Sequence, residues 1–323
     1  MRLLATGAAG FIGSNFVRMI ANGHLKDFTS VTVLDKLTYA GVKKNLDVAD
    51  SISRYQFIQG DICDQTQVAE LVSEVDTVVN FAAESHVDRS ISSAANFVQT
   101  NIVGVQVLLD AIKASGKNIR FLQVSTDEVY GSIEEGSWTE QWPLQPNSPY
   151  SASKASGELL ARSYYQTHRM DVLITRCSNN YGTHHFPEKL IPLFITNLLE
   201  GKKVPVYGTG ENVRDWLHVD DHCRGIYSVL MNGRSGEVYN IGGGRELTNN
   251  EITTLILDAM DADESSIEYV EDRKGHDLRY SVDWAKIKRE LGYEPQVMFE
   301  DGLRETIQWY RDNEAWWKPL KNR

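Results

Sequence analysis

Residues 2–13 read RLLATGAAGFIG, an apolar run of strand length followed by three glycines. A helical pattern follows the last glycine and ends at Gly23. Glycines permit positive φ values and a close approach of the backbone to a pyrophosphate, and a helix N-terminus presents free N–H groups with a partial positive charge. The order of strand, glycine turn and helix therefore predicts a dinucleotide site at Gly7, Gly10 and Gly13.

Strand-length runs alternate with helical patterns along the next part of the chain. The second run, 31–34, ends in Asp35, where a short carboxylate accepts hydrogen bonds from adenosine ribose hydroxyls and repels a 2′-phosphate. Three more runs lie at 55–60, 76–83 and 119–125. This alternation predicts an α/β fold with a doubly wound parallel sheet. Asp35 favours NAD over NADP, although the neighbouring Lys36 weakens that preference.

The run 124–131, VSTDEVYG, puts three polar side chains where a buried strand gives way to a loop, and this is where α/β sheets carry their chemistry. They are Thr126, Asp127 and Glu128. Mutual repulsion and partial burial of adjacent carboxylates can keep one of them protonated near neutrality, which gives an acid and a base side by side. Taken alone, the two carboxylates are better explained as solvated loop residues.

A helical run at 150–165 carries Tyr150 and Lys154 four residues apart, on one helical face. A free tyrosine has a pKa near ~10, and a nearby cation favours the phenolate. We therefore expect Tyr150 to exchange a proton with a substrate hydroxyl. Without the glycine turn, an exposed tyrosine and a solvated lysine would explain the pair as well.

The composition is that of an ordinary soluble protein, with 41% hydrophobic and 24% charged residues, and 323 residues exceed what one core usually serves. The net charge of −11 argues against a nucleic acid or an anionic membrane surface as the main partner. Cys63, Cys177 and Cys223 lie far apart, which predicts reduced thiols rather than disulfides. The first strand leaves no room for a signal peptide, and no apolar run approaches membrane-spanning length. We expect a cytoplasmic protein.

His218 and His222 are four apart and raise the question of a metal site. We expect Asp220 to cap the helix that follows, which leaves His218 outside it, and no third ligand cluster is evident. His184 and His185 are interpreted as loop residues in the same way. The sequence therefore predicts no metal.

The motifs resemble those of the extended short-chain dehydrogenase/reductases, namely a GxxGxxG turn, a Ser or Thr after the fifth strand, and Tyr-x-x-x-Lys. The resemblance covers the whole chain and implies a Rossmann-like cofactor domain. Within this family the likeness is closest to the 4,6-dehydratases of dTDP-glucose. It is carried by DKLTYAG at 35–41, AAESHVDRS at 82–90, STDEVYG at 125–131, RCSNNYG at 176–182 and FPEKLIP at 186–192. The chain departs from the family pattern at Thr183-His184, where a proline is expected.

The resemblance implies an NAD-dependent lyase that turns dTDP-glucose into its 4-keto-6-deoxy product, with Asp127 as the acid and Glu128 as the base. A simple dehydrogenase or 4-epimerase needs only Thr126, Tyr150 and Lys154, so two added carboxylates suggest added proton transfers. The alternatives are a nucleotide-sugar 4-epimerase or decarboxylase on the same fold, and a non-catalytic NAD-binding regulator. Residue spacing does not separate thymidine from uridine, and the choice of base rests on the resemblance.

The expected binding residues fall into two sets. The catalytic pair Tyr150 and Lys154 also belongs to the cofactor set, with Gly7, Gly10, Phe11, Ile12, Gly13, Asp35, Lys36, Leu37, Thr38, Asp61, Ile62, Phe81, Ala82, Ala83, Ser85, Thr100 and Asn180. The resemblance implies the nucleotide-sugar set, which is Ser85, Thr126, Asn179, Lys189, Leu190, Pro205, Val206, Tyr207, Arg214, Asn249, Arg273 and His276. A diphosphate needs cations, which we expect from Arg214 and Arg273 in loops and from Lys189 at a helix start. For Lys189 alone, a solvated helix face is an equal alternative.

Two unequal domains are predicted, because the runs 172–175 and 238–241 look like further strands of the cofactor sheet. We expect an NAD-binding domain at 1–177 plus about 213–244, and a smaller nucleotide-sugar-binding domain at about 178–212 plus 245–323. The helical runs 101–114 and 150–165 have apolar residues on more than one face. They are therefore expected to pack against a second subunit in a homodimer.

Overall fold

The structure is a computed structural model and describes residues 1–321. Its strands are β1 (Arg2–Thr6), β2 (Ser30–Asp35), β3 (Tyr55–Gln59), β4 (Thr77–Asn80), β5 (Arg120–Thr126), β6 (Val172–Cys177), β7 (Asn179–Tyr181), β8 (Val204–Tyr207), β9 (Val213–His218), β10 (Val238–Ile241), β11 (Glu246–Thr248) and β12 (Ile267–Val270). Seven of them form a parallel sheet in the order β10-β6-β5-β4-β1-β2-β3.

The helices are α1 (Phe11–Ala21), α2 (Gln65–Ser73), α3 (Val87–Ser92), α4 (Ala95–Val98), α5 (Val105–Ser115), α6 (Pro149–His168), α7 (Leu190–Leu199), α8 (Val219–Asn232), α9 (Asn249–Ala259), α10 (Ala285–Leu291), α11 (Phe299–Asp312) and α12 (Glu314–Trp317). There are also 3₁₀ segments at Lys43–Ser51, Asp127–Tyr130 and Glu264–Ser266, and a π-helical turn at Gln99–Gly104 that leads into α5. None of the helices within residues 1–321 combines the length and the apolar character needed to cross a membrane.

Both faces of the seven-stranded sheet are covered by helices. On β1, Leu3 lies in a core with α1 and α8, whereas Leu4 lies in a second core with α2, α5 and α6. Successive residues of a strand point to opposite faces of the sheet. A strand with apolar residues on both faces must therefore be buried by helices on both sides. The predicted doubly wound parallel sheet is confirmed.

A third core belongs to the smaller part of the molecule. It joins the sheets β11-β9-β7 and β12-β8 to α7, α9, α11 and α12, and Trp317 and Tyr310 are among its buried side chains. Ile287 of α10 instead packs on the core beside the large sheet, although the predicted domain limits place it in the smaller domain. Those limits remain a proposal.

Two local predictions are wrong. Asp220 was expected to cap α8, but the N-cap is His218, whose Nδ1 accepts from the N–H of Asp220 at 3.3 Å. Asp220 lies in the first turn of the helix, where the helix dipole stabilises its negative charge. Arg214 lies on β9 opposite Leu247 rather than in a loop. For Arg214, the pairing of β9 with β11 overrides the local turn signal.

Candidate active site

The glycine turn lies close to the end of β4. Gly7 has a φ of +66°, and a Cβ at this position would lie 2.3 Å from the Cα of Ala82. A Cβ on Gly13 would lie 2.7 Å from the Cα of Ala8. Larger residues are therefore excluded, and the first residues of α1 can line the adjoining cavity.

Asp35 is fixed at the end of β2 by two backbone bonds. Its Oδ2 accepts from the N–H of Ala9 at 2.8 Å, and its Oδ1 accepts from the N–H of Leu37 at 2.7 Å. Burial raises the pKa of Asp35, and these two bonds oppose the shift. Lys36 pairs with Asp61 at 2.7 Å, so the lysine charge is partly neutralised. The geometry fits an acceptor for ribose hydroxyls and suits NAD better than NADP.

A cavity of about 300 Å³ runs along the carboxyl edge of the sheet. Of the predicted cofactor residues, all but Leu37 line it: Gly7, Gly10, Phe11, Ile12, Gly13, Asp35, Lys36, Thr38, Asp61, Ile62, Phe81, Ala82, Ala83, Ser85, Thr100, Tyr150, Lys154 and Asn180. Leu37 packs against the core beside the sheet, and only its N–H contributes, by holding Asp35. The glycine turn, the carboxylate and the cavity together fit a dinucleotide.

The two candidate acid–base residues lie on a turn stabilised by Thr126. β5 continues through Thr126, where the sequence predicted a loop, and the 3₁₀ turn Asp127–Tyr130 follows. Thr126 Oγ1 accepts from the N–H of Glu128 at 3.3 Å and donates to Asp127 Oδ1 at 3.2 Å. The other oxygen of Asp127, Oδ2, is buried without a hydrogen-bond partner within residues 1–321. Asp127 is therefore a carboxyl group for which protonation is favourable.

The surroundings of the two carboxylates set their pKa values apart. Burial and the charges of Glu128 and Asp215 hold the pKa of Asp127 well above its usual range. Burial also raises the pKa of Glu128, but the charges of Lys189 and Arg214 oppose that shift. Asp127 consequently holds its proton more tightly than Glu128, which is the order expected of an acid beside a base.

Tyr150 and Lys154 share a face of α6, and both are buried. Lys154 Nζ donates to the carbonyl of Val124 at 2.7 Å, and burial lowers the pKa of Lys154 to about 8. Burial and the charge of Glu128 raise the pKa of Tyr150 well above its usual value. The phenolate expected from the Tyr150–Lys154 spacing is therefore not favoured by the protein alone, because burial and the negative charge of Glu128 both oppose it.

A second cavity of about 270 Å³ adjoins the first. It is lined by all of the predicted nucleotide-sugar residues except Ser85 and Thr126, which lie in the first cavity: Asn179, Lys189, Leu190, Pro205, Val206, Tyr207, Arg214, Asn249, Arg273 and His276. Glu128 lines both cavities. A ligand in the second cavity would therefore meet Glu128 at its boundary with the first.

Three cations among residues 1–321 line the second cavity, together with the carboxylates of Asp88, Glu128 and Glu188. The Arg214 guanidinium lies 4.2 Å from the ring centroid of Tyr280 and donates to main-chain carbonyls, among them Asp277 O at 3.0 Å. Lys189 Nζ donates to Ser85 O at 3.0 Å. Within residues 1–321 neither cation has a carboxylate oxygen within 4.0 Å, whereas Arg273 pairs with Asp88 at 2.9 Å. Uncompensated positive charge of this kind fits a diphosphate.

Comparison with known proteins identifies the family. The family model of GDP-mannose 4,6 dehydratase matches residues 4–306. The dTDP-glucose 4,6-dehydratase of Streptomyces niveus is 57% identical over 325 residues, which cover 100% of this chain and 96% of that protein. The chain belongs to the dTDP-glucose 4,6-dehydratase family. The resemblance expected from the sequence is thereby confirmed.

A solved member of the dTDP-glucose 4,6-dehydratase family has the same fold. DesIV from Streptomyces venezuelae, solved with NAD and TYD bound, is 58% identical, has a TM-score of 0.97 and matches 99% of this chain and 100% of its own. The UDP-glucose 4-epimerase of Thermotoga maritima, solved with UDP-glucose, is 31% identical with a TM-score of 0.88, over 97% of this chain and 100% of its own. The fold is thus common to dehydratases and epimerases, and side chains must distinguish them.

Several cavity residues escaped the sequence analysis. Tyr280, Trp216 and Glu188 line the second cavity, and Glu188 accepts from Arg89 at 3.4 Å. Glu188 stands inside the FPEKLIP run and could have been chosen with Lys189. Tyr280 follows an irregular segment with no local pattern, so its place became visible only with the tertiary fold.

The histidines and cysteines have local roles. His222 Nδ1 lies 2.9 Å from Asn180 Oδ1, and His184 packs on Trp309 at a centroid distance of 4.2 Å. Within residues 1–321 no three His, Cys, Asp or Glu side chains are grouped to hold a metal ion. The three cysteines are free thiols.

Proposed function

We propose that the protein converts dTDP-glucose to dTDP-4-keto-6-deoxyglucose as an NAD-dependent lyase, a reaction of nucleotide-deoxysugar biosynthesis. The observation that carries the proposal is the Asp127–Tyr130 turn, which puts Glu128 at the junction of a dinucleotide cavity and a cationic cavity. Tyr150 and Lys154 line the dinucleotide side of that junction. Oxidation chemistry and elimination chemistry are thereby brought to one sugar.

The residues divide the proton transfers between them. Tyr150 acts as the phenolate, which the positive charge of bound NAD would favour, and takes the proton of the C4 hydroxyl. Thr126 and Lys154 position the Tyr150 oxygen and the C4 oxygen. NAD bound in the first cavity would supply the acceptor for the C4 hydride and the donor that reduces C6. The C4 ketone makes the C5 proton acidic, so that Glu128 can remove it.

Water loss and recovery complete the cycle. Asp127 protonates the C6 oxygen while the C6–O bond breaks, and water leaves. Glu128 returns its proton to C5 when C6 is reduced. At the end of the cycle Tyr150 has gained one proton and Asp127 has lost one. Transfer of one proton from Tyr150 to Asp127 therefore restores the enzyme. The net change is the loss of one water from the sugar.

Product analysis separates the alternatives. The protein is incubated with dTDP-, UDP-, GDP- and CDP-hexoses, and the alkaline absorbance of a 4-keto sugar is followed. Absorbance with dTDP-glucose supports the proposal. A C4 epimer without that absorbance would instead identify an epimerase, and carbon dioxide released from an added UDP-hexuronic acid would identify a decarboxylase. Unchanged sugars in the presence of bound NAD would identify a regulator.

A homodimer in the cytoplasm is part of the same proposal. Leu159 on α6, Val98 on α4 and Ile91 on α3 are exposed, at 51%, 46% and 38%. These helices adjoin one another, so the apolar side chains lie in one region of the surface. The free cysteines fit a reducing compartment.

Asp35→Ala is expected to weaken NAD binding. The change removes a charged acceptor for ribose hydroxyls and the partner of Ala9 N–H, and a hydrogen bond to a charged group contributes about 1.5–3 kcal/mol, or roughly 10- to 150-fold in Kd. Calorimetric titration of NAD measures the change. Asp64→Ala is the matched control, since Asp64 also accepts two backbone N–H bonds but caps α2 away from the cavity. Equal NAD affinity in Asp35→Ala would remove Asp35 from the cofactor site.

Arg214→Ala is expected to raise the Kd of the nucleotide sugar by about 10- to 100-fold, because a buried cation that faces the diphosphate is lost. NAD affinity should change little, since Arg214 lines only the second cavity. Titrations with dTDP and with NAD measure the two effects. Arg245→Ala, which removes an exposed arginine paired with Glu300, is the control. An equal loss of NAD affinity would contradict the assignment of the two cavities.

A further inference from the structure

A buried ion pair lies directly behind the candidate catalytic residues. Arg176 on β6 donates through Nε to both carboxylate oxygens of Glu158 on α6, at 3.1 and 3.2 Å. The two side chains are only 6% and 2% exposed. Neither residue lines the cavities, and neither takes part in the proposed proton transfers. A buried pair of this kind costs desolvation energy, so stability alone is a weak explanation for it.

One end of the ion pair is tied to the helix of the proton-transfer pair. Tyr150, Lys154 and Glu158 follow one another at intervals of four residues, so they share one face of α6. The bond to Arg176 therefore fixes the helix two turns beyond Tyr150. Because both N–H groups of the guanidinium edge face one carboxylate, rotation of the helix about its axis is resisted as well as its translation.

The other end is tied to the turn of the two carboxylates. Arg176 Nη1 donates to the hydroxyl of Tyr130 at 2.6 Å, and the guanidinium lies 4.7 Å from the centre of the Tyr130 ring. Tyr130 is the last residue of the turn that begins with Asp127. Its hydroxyl in turn donates to Asn240 Oδ1 on β10 at 2.9 Å. The C-terminal end of the turn is thus fixed by hydrogen bonds to β6 and β10.

A single guanidinium consequently joins the segments that carry the two halves of the proposed chemistry. We infer that Arg176 is a positioning residue that sets the Asp127–Tyr130 turn relative to the Tyr150 and Lys154 helix, with Glu158 and Tyr130 as its two attachments. The inference rests on the proposed function, since it concerns the alignment of oxidation at C4 with elimination across C5 and C6. Lysine cannot replace the planar fork, which serves two partners in different directions.

Cutting one attachment at a time should affect one half of the reaction. Tyr130→Phe removes the hydroxyl and with it the bonds to Arg176 and Asn240, while the pair of Arg176 with Glu158 stays intact. C5 exchange and water loss should therefore slow by up to about 100-fold while C4 oxidation keeps its rate. Glu158→Gln removes the charge on the helix side and should slow C4 oxidation, with the ratio of C5 exchange to oxidation unchanged. Arg176→Lys should slow both steps.

The steps are measured separately in single turnovers of the NAD-loaded protein with dTDP-glucose. Reduced-cofactor absorbance reports C4 oxidation, deuterium uptake from heavy water reports C5 exchange, and the 4-keto chromophore reports water loss. Tyr239→Phe is the control, because its hydroxyl is also buried and bonded, to Glu290 and to the N–H of Arg234, but away from both cavities. Melting temperatures report any general loss of packing.

The outcomes are distinct. A fall in the ratio of C5 exchange to C4 oxidation in Tyr130→Phe, but not in Tyr239→Phe, supports the positioning role. If C5 exchange and C4 oxidation slow by the same factor in Tyr130→Phe, or if neither slows, the positioning role is overturned. If Tyr130→Phe does not fold, Glu158→Gln decides. Slower C4 oxidation with an unchanged ratio of C5 exchange to C4 oxidation supports the positioning role, and a changed ratio overturns it. A wild-type protein that makes no 4-keto sugar contradicts the proposed function itself.

Discussion

Asp127→Asn is expected to stop the reaction between oxidation and water loss. The carboxyl group of Asp127 is buried, and the charges of Glu128 and Asp215 add to that burial in raising its pKa, so it retains a proton that it can donate. Asparagine keeps the size and polarity but cannot protonate the C6 oxygen. Water loss should slow by the ~10²–10⁴-fold typical of general acid catalysis, while C4 oxidation and C5 exchange continue. Reduced cofactor should accumulate during a single turnover.

The measurement compares three signals from one sample, namely cofactor absorbance, C5 deuterium and the 4-keto chromophore. Retained NAD and a melting temperature close to the wild type must accompany the result, because Asp127 also accepts from Thr126. Normal water loss in Asp127→Asn would show that another group is the acid. An equal loss of oxidation would show that the substitution disturbs Thr126 and Tyr150 rather than proton donation.

The fold was predictable because its signals are local. The glycine turn requires Gly7 for its positive φ and for its close contact with Ala82. The strand β1 carries apolar residues on both of its faces. Each of these features can be read within a few residues of sequence. The seven-stranded sheet follows from repetition of the same unit.

The site was predictable only in part, because several features depend on distant residues. Leu37 has the right sequence position, but its side chain turns into the core. Tyr150 has the right spacing from Lys154, yet the carbonyl of Val124 takes the lysine ammonium and burial sets the tyrosine pKa. Arg214 looks like a loop residue until β11 pairs with its strand. Burial and long-range pairing decide these points, and spacing does not report them.

The shared arginine shows the same limit from another direction. Arg176 is the first residue of the RCSNNYG run, and Glu158 follows Lys154 by four residues, so both lie in or beside recognised motifs. Nothing in their spacing indicates that they meet, since they are 18 residues apart and belong to different elements. Only the packing of α6 on β6 brings the carboxylate to the guanidinium.

Glu128→Gln is expected to abolish C5 exchange and water loss together. Its carboxylate lies at the junction of the cavities, where Lys189 and Arg214 oppose the rise in its pKa, so it is the group that accepts a proton. Glutamine keeps the side-chain length but has no basic oxygen, and both rates should fall by about 10²–10⁴-fold. Oxidation at C4 should continue, since Tyr150 and Lys154 are intact.

Deuterium uptake at C5 distinguishes this variant from Asp127→Asn, in which exchange persists. That contrast follows from the proposed order, in which removal of the C5 proton precedes protonation of the leaving oxygen. Loss of the base then blocks both events, whereas loss of the acid blocks only the second. The comparison is made at one pH in proteins that hold equal amounts of NAD. Wild-type exchange in Glu128→Gln would show that another base removes the C5 proton, and the roles of the two carboxylates would then have to be reassigned.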